Sequence, residues 1–471
     1  MDNEKSTAEV LKEKLYLKSQ NAYEFCEKEE IDKAYDYCKD YMKFLDDAKT
    51  ERECVDVAVK LLEENGFVPF EYGKKYVSGD KIYVNNRGKA LYIIVMGEKS
   101  LEEGISIAAA HTDAPRIDLK QHPLYEDSGM AFFKTHYYGG IKKFQWVTTP
   151  LALHGVIAKE NGEVVNVCIG EDDSDPVFYI TDVLPHLGKD QASKPIGSAF
   201  TGENLNVLCG SRPYDDEKIG EKIKLNILAL LNEKYDVTEA DLLSAELSLV
   251  PAAKARDVGF DRSLIGAYGH DDRVCAYPIL TAAIESSKSS PKYTSVTIFA
   301  DKEETGSDGN TGMQSFAFEN MLYELAENAG ANPRIMFANS KCLSADVNAC
   351  YDPNFGEVYE SRNSAFINKG LVVTKFTGGG GKSSTNDAHA EYVAYIRKIL
   401  NDAGVLWQTA ELGKVDQGGG GTVAKYISKL DVDTIDVGVG VLSMHAPYEV
   451  VSKTDVYMTY KGILAFFNRN V

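Results

Sequence analysis

The sequence predicts an α/β protein: a mixed, largely parallel sheet sandwiched by helices, with a β-rich domain inserted into it. Three observations carry this reading. From Val250 onward, short apolar runs without clear alternation are separated by helical segments, the pattern of strands covered on both faces. Between about Leu119 and Val250 that rhythm breaks into aromatic-rich turns and β-like runs. At 471 residues the chain exceeds what one hydrophobic core usually serves, so two domains are expected. The expected division is an α/β domain built from 1–118 and 251–471, with the insertion at 119–250.

Along the chain, the first 65 residues read as helices. Thr50 is a candidate N-cap for the segment ERECVDVAVKLLEEN, which Gly66 would stop. The pattern then turns to strands at KIYVNN, LYIIVMG and GISIAAAHTD. The insertion follows, with MAFFKTHYYGG, LALHGVIAKE and GEVVNVCIG. Beyond it, strands are expected at TSVTIFAD, RIMFANS, GLVVTKF and TIDVGVGV. Helices are expected at DRVCAYPILTAAIESS, GMQSFAFENMLYELAEN, NDAHAEYVAYIRKIL and VYMTYKGILAFFNR.

Lys plus Arg total 51 against 71 Asp plus Glu, a formal net charge of −20. Nucleic acid and anionic membrane would repel such a surface, so neither is expected as a partner. The opening MDNEKSTAEVLKEKLYLKSQ alternates charges without an apolar run and does not read as a secretory signal. No stretch approaches the roughly 20 apolar residues that span a bilayer. The eight cysteines form no C-x-x-C pair, which points to reduced, mostly buried thiols and a cytoplasmic location.

Five short motifs each fall at or just after the end of an expected strand, where α/β sheets place their sites. HTD sets His111 and Asp113 at the end of ISIAAA. H-x-D suits a metal-bound imidazole whose other nitrogen is held by a carboxylate, though the pattern alone is weak. GHDDR places Asp271 and Asp272 in a Gly-flanked turn before a helix. A carboxylate there can bridge two cations, or simply cap the helix. In DKEETGSDG, Glu303 and Glu304 follow the strand TSVTIFA. Adjacent glutamates at a strand end repel, but in a metal site one can ligate while the other accepts a proton from the attacking water. A solvated charge cluster is the alternative. LSADVNACYDPN supplies Asp346, and GVGVLSMHAPYEV supplies His445, a residue that could equally be a hydrogen-bonded core histidine. Together, two His, two Asp and one Glu form an oxygen/nitrogen donor set suited to zinc, cobalt or manganese.

The ordered set HTDAPR, GHDDR, DKEETGS, SADVNACYDPN and MHAPYEV resembles the aspartyl aminopeptidase and vacuolar aminopeptidase I family of dinuclear zinc metallopeptidases, over nearly the whole chain. The resemblance implies a zinc-exopeptidase-like fold and removal of N-terminal residues from peptides. It implies two zinc ions per subunit, with cobalt or manganese as substitutes. It assigns His111 and Asp346 to one ion, Glu304 and His445 to the other, and Asp271 to the bridge. Glu303 becomes the general base and Asp113 the partner of His111. It further implies a cis peptide between Asp271 and Asp272. The insertion becomes a dimerisation or lid domain, and the assembly a large homo-oligomer, typically a tetrahedral dodecamer. His186, in VLPHLGKD, matches a family histidine that reaches a neighbouring subunit's site; its alternative is a surface histidine.

Two departures bear on specificity. The eukaryotic acidic-residue branch usually has Asp-Asn where this chain has Asp271-Asp272, and a bulkier, more basic loop where this chain has TGGGGKSSTNDA. Both favour neutral N-terminal residues. The loop's KFTGGGGKSS resembles a phosphate-binding loop, but G-x-x-x-x-G-K-[ST] requires glycine where Phe376 stands. It reads instead as a flexible wall of the substrate cleft, with Lys375 or Lys382 near bound peptide. The rival functions are a dinuclear metallohydrolase cutting another amide, as a carboxypeptidase or deacylase does, a nucleotide-binding enzyme, and a non-catalytic shell or cargo protein.

Overall fold

The computed structural model describes residues 5–470. Its scaffold is a nine-stranded mixed sheet. Four central strands run parallel in the order Ser295–Ala300, Ser106–His111, Lys341–Ala345, Asp433–Gly438. Lys81–Asn86 and Ala90–Val95 extend one side as an antiparallel pair, and Leu371–Thr374 joins the other side antiparallel to Asp433–Gly438. The central strands are almost uniformly buried because both faces are covered. Ala108, Ala110, Leu343 and Ile435 pack with the helices Glu51–Glu64, His270–Ser286, Ala390–Asp402 and Lys453–Phe467. Alternate residues Ile107, Ala109, Ile298 and Cys342 pack on the opposite face with Ala317–Asn328 and Pro333–Asn339.

Thr50 caps its helix as expected. Its side chain accepts the N–H of Glu53 while Glu53 accepts the N–H of Thr50, a complete capping box. RIMFANS, expected as a strand, is corrected: Pro333–Asn339 is a helix. Asn332 accepts the N–H of Arg334 and Pro333 occupies the first turn, so local capping outweighs the apolar run. The strand lies just beyond, at Lys341–Ala345, and still leads into Asp346. TIDVGVGV also divides, with Asp433–Gly438 in the large sheet and Gly440–Leu442 in a five-stranded one.

A separate antiparallel sheet occupies Arg116–Pro251. It closes on itself because Ala245–Pro251 pairs with both Arg116–Asp127 and Pro150–Ala158. Trp146, Phe133, Leu153, Val207 and Leu249 fill its core. The cysteines are all free thiols, and Cys38, Cys54, Cys275, Cys342 and Cys350 are buried. Among the described residues no helix is long and apolar enough to cross a membrane.

Candidate active site

The parallel register brings the C-terminal ends of the central strands to one edge. Ala300 pairs with His111 and Ala345 with Val437, so the segments carrying His111, Glu303, Glu304 and Asp346 leave the sheet side by side. Asp346 then lies against Gly438, where a β-carbon would sit 1.8 Å from the Asp346 carbonyl oxygen; only glycine allows that approach. The five-stranded sheet pairs Leu264–Ala267 with Glu449–Ser452, which draws the Asp271 turn toward His445. The Asp271–Asp272 peptide is cis.

The five expected ligands converge. Asp271 faces both histidines, with Oδ1 3.1 Å from His111 Nε2 and Oδ2 3.1 Å from His445 Nε2. Asp346 Oδ1 lies 3.9 Å from His111 Nε2, and Glu304 Oε1 lies 3.6 Å from His445 Nε2. Each imidazole donates its Nδ1–H to a backbone carbonyl, His111 to Asp113 at 2.9 Å and His445 to Gly140 at 2.9 Å. Both Nε2 atoms are thereby presented to the centre.

Asp113 holds the glutamates as well as bordering His111. Its Oδ1, 3.4 Å from His111 Nδ1, accepts the N–H of Glu303 at 3.1 Å; its Oδ2 accepts the N–H of Glu304 at 3.2 Å and the hydroxyl of Tyr138 at 2.7 Å. Burial pushes this carboxyl up, but the donors, His111 first among them, hold it below the usual range. Glu449 plays a matching part: it is 1% exposed and accepts the N–H of Asp271 at 3.1 Å and of His445 at 2.7 Å. His445 has a left-handed φ of 64°, and this bond to its N–H helps to fix that conformation.

The remaining acids are crowded. Burial, reinforced by neighbouring carboxylates, raises Glu304, Asp346 and Asp272 well above the usual range, and Glu303 to about 7. Glu304 Oε1 and both carboxylate oxygens of Asp272 are buried without a hydrogen-bond partner. Carboxylates packed this closely can be ionised together only if cations offset them. His111, Asp271 and Glu304 offer donor atoms within 4.8 Å of one another, as do His111, Asp272 and Asp346. The donor set fits hard or borderline divalent cations such as zinc. Asp272, read from sequence only as the residue after the bridge, is thus within reach of the His111 half.

His111, Asp271, Glu303, Glu304, Asp346 and His445 line a cavity of about 440 Å³, walled also by Gly419–Gly421, Thr422 and Lys425. The first glycine run backs this wall: the N–H of Gly420 donates to Thr377, and Gly419 lies against the backbone of Gly378. Two other expected residues are elsewhere. Lys375 is ion-paired with Asp387, which also holds Lys382 at 3.0 Å, and does not line the cavity. His186 is exposed and also outside the lining. Sequence reasoning missed Tyr138, Gly140 and Glu449. Glu449 stands four residues after His445 inside the same motif, a signal available but unread; Tyr138 and Gly140 gave none, because the fold alone brings them here.

An α/β sheet with acids and imidazoles gathered at its C-terminal edge defines a metallohydrolase. The chain belongs to the M18 family, the aminopeptidase I zinc metalloproteases, which matches residues 44–467. It is 49% identical over 456 residues to a probable M18 family aminopeptidase 1 of Clostridium acetobutylicum, covering 95% of this chain and 98% of that one. The crystal structure of an M18 aminopeptidase from Thermotoga maritima superposes with a TM-score of 0.91 at 42% identity, covering 96% and 99% of the two chains. The mApe1 dodecamer of Saccharomyces cerevisiae shares the fold, with a TM-score of 0.75 at 21% identity and coverage of 92% and 96%.

Proposed function

We propose that this M18 aminopeptidase uses two metal ions, zinc in the first instance, to hydrolyse the bond after the first residue of a peptide. The observation that carries the reading is Asp271, whose two oxygens face His111 and His445 on opposite sides, each at 3.1 Å. His111 and Asp346 hold one ion, His445 and Glu304 the other. When bound, the ions polarise the scissile carbonyl and make the attacking water more acidic. Glu303 lines the cavity beside them; it takes the proton from that water and delivers it to the leaving amine. The N–H bonds to Asp113 fix the backbone from which Glu303 reaches the substrate.

Lys375 and Lys382 are engaged by Asp387, which favours neutral first residues over acidic ones, while Lys425 is the lysine that lines the cavity. His186, exposed and outside the lining of this chain's cavity, serves a neighbouring subunit's site. The fold shared with a dodecameric relative and the exposed Leu230 and Ile196 of the 119–250 segment support a homo-oligomer, a tetrahedral dodecamer assembled partly through that segment, and the free thiols suit the cytoplasm. The deciding experiment is Glu303→Gln. It should retain its zinc by elemental analysis yet lose nearly all turnover of aminoacyl chromogenic substrates. Near-normal turnover, or equal cleavage of N-terminally blocked peptides by the wild type, would overturn the reading.

A further inference from the structure

The strand Met130–Tyr138 belongs to the closed antiparallel sheet, yet its end lies against the catalytic edge. Three consecutive residues there meet site residues. The Tyr138 hydroxyl donates to Asp113 Oδ2 at 2.7 Å, the same oxygen that accepts the N–H of Glu304. The Gly140 carbonyl accepts His445 Nδ1–H at 2.9 Å. Between them, Gly139 has a φ of +72°, and a β-carbon there would stand 3.3 Å from both Cβ and Oε2 of Glu304. The Arg116 guanidinium, 4.1 Å from the centre of the Tyr138 ring, holds that ring in place.

These contacts fall on one half of the site. Asp113 Oδ1, the oxygen nearer His111, serves Glu303, whereas Tyr138 acts on Oδ2 and so on Glu304. Gly139 and Gly140 address Glu304 and His445 directly. We propose that Tyr138–Gly140 is a positioning element supplied by the inserted sheet, selective for the cation held by Glu304 and His445. The hydroxyl orients the carboxylate that sets the Glu304 backbone. The Gly140 carbonyl fixes the His445 ring with Nε2 toward the cation, and Gly139 leaves room for the Glu304 side chain. The inserted segment is in this sense part of the metal centre. The inference rests on the two-ion reading above.

The test measures zinc content of the full-length enzyme after equilibration with graded chelator. Tyr138→Phe removes the hydroxyl and keeps the ring over Arg116; Gly139→Ala crowds Glu304 and provides the test independently if the first variant misfolds. Groups that orient ligands are typically worth 10–100-fold in metal affinity. Each variant should therefore hold one of its two ions at least about tenfold more weakly and the other unchanged. Single-ion backgrounds identify which. With Asp346→Ala, Tyr138→Phe should weaken the remaining ion; with Glu304→Ala, it should leave the remaining ion's affinity as it was. Equal weakening in both backgrounds, or none in either, overturns the inference while leaving the two-ion enzyme standing. A wild type that binds fewer than two ions per chain overturns the two-ion reading and this inference with it.

Discussion

Asp113→Asn tests how the site is held together. The wild-type carboxylate accepts from Glu303 N–H on one oxygen, and from Glu304 N–H and Tyr138 O–H on the other. The amide has the same shape but only one acceptor oxygen. If that oxygen keeps Tyr138 and Glu304, the new NH₂ faces the Glu303 N–H, donor against donor, in a fully buried place. An unpaired buried donor costs about 1–3 kcal/mol, and each retained bond loses about 1 kcal/mol when its acceptor is no longer charged. The sum is about 3–5 kcal/mol, shared between folding and the bound transition state. If roughly half is felt where Glu303 acts, about 2 kcal/mol, kcat falls about thirtyfold. The assay is steady-state hydrolysis of an aminoacyl chromogenic substrate, with zinc content measured on the same sample. The expected result is a reduced kcat at little-changed KM. A kcat within about twofold of wild type, together with an unfolding free energy within about 1 kcal/mol of wild type, would refute the bracket role, because a buried donor clash must be felt in one or the other.

Three further predictions test the scaffold. His154, buried between Glu53 at 2.7 Å and Glu171 at 3.1 Å, has its pKa raised to about 11, the Cys168 side chain and the facing acids together overcoming burial. Its stabilising contribution is full below the unfolded value of about 6.5 and fades as pH rises toward 11. The stability difference between wild type and His154→Gln, read by urea unfolding, should shrink across that window; a difference that grows with pH would contradict it. Gly438→Ala would press a methyl group into the Asp346 carbonyl and should cut zinc retention, so an alanine variant with a full zinc complement would refute that close approach. Thr50→Ala removes one arm of the capping box and should cost about 1 kcal/mol in denaturant unfolding while kcat is unchanged.

How much of this was legible in the sequence depended on how local each signal was. The Thr50 cap was legible because its partner Glu53 is three residues away. Three of the four central strands, Ser106–His111, Ser295–Ala300 and Asp433–Gly438, were legible as apolar runs because both sheet faces are covered; Lys341–Ala345 was not. RIMFANS misled because an apolar run of that length fits a buried strand or a buried helix face, and the Asn332–Pro333 start signal decides the matter. The motif residues at strand ends were readable as donors. Their distances were not, since convergence of His111, Asp271 and His445 depends on sheet register. Tyr138 lies 25 positions from Asp113, and Gly140 lies 305 from His445. No periodicity encodes contacts of that kind.

The acids at the site fall into two kinds, and the difference explains why a cluster so costly to bury is assembled at all. Asp113 and Glu449 direct their oxygens at backbone N–H groups of the residues proposed to do the chemistry: the base Glu303 and the ligand Glu304 in one case, the ligands Asp271 and His445 in the other. Protein donors hold Asp113 below the usual carboxylate range; at Glu449 they offset only part of the cost, and burial beside Asp271 still raises it to about 8. Glu304 Oε1 and the Asp272 carboxylate have no such donors, although they are equally buried. A buried carboxylate oxygen without a donor is expensive unless a cation stands in its place. The bracket acids therefore hold the backbone of the site without needing a cation, while the donor-poor acids are the ones a cation would compensate. It follows that chelation should release metal without unfolding the chain, and that zinc should restore activity to the same sample without refolding. A metal-free enzyme that had lost its tertiary structure, as near-ultraviolet circular dichroism would show, would mean that Asp113 and Glu449 do not suffice to hold the edge.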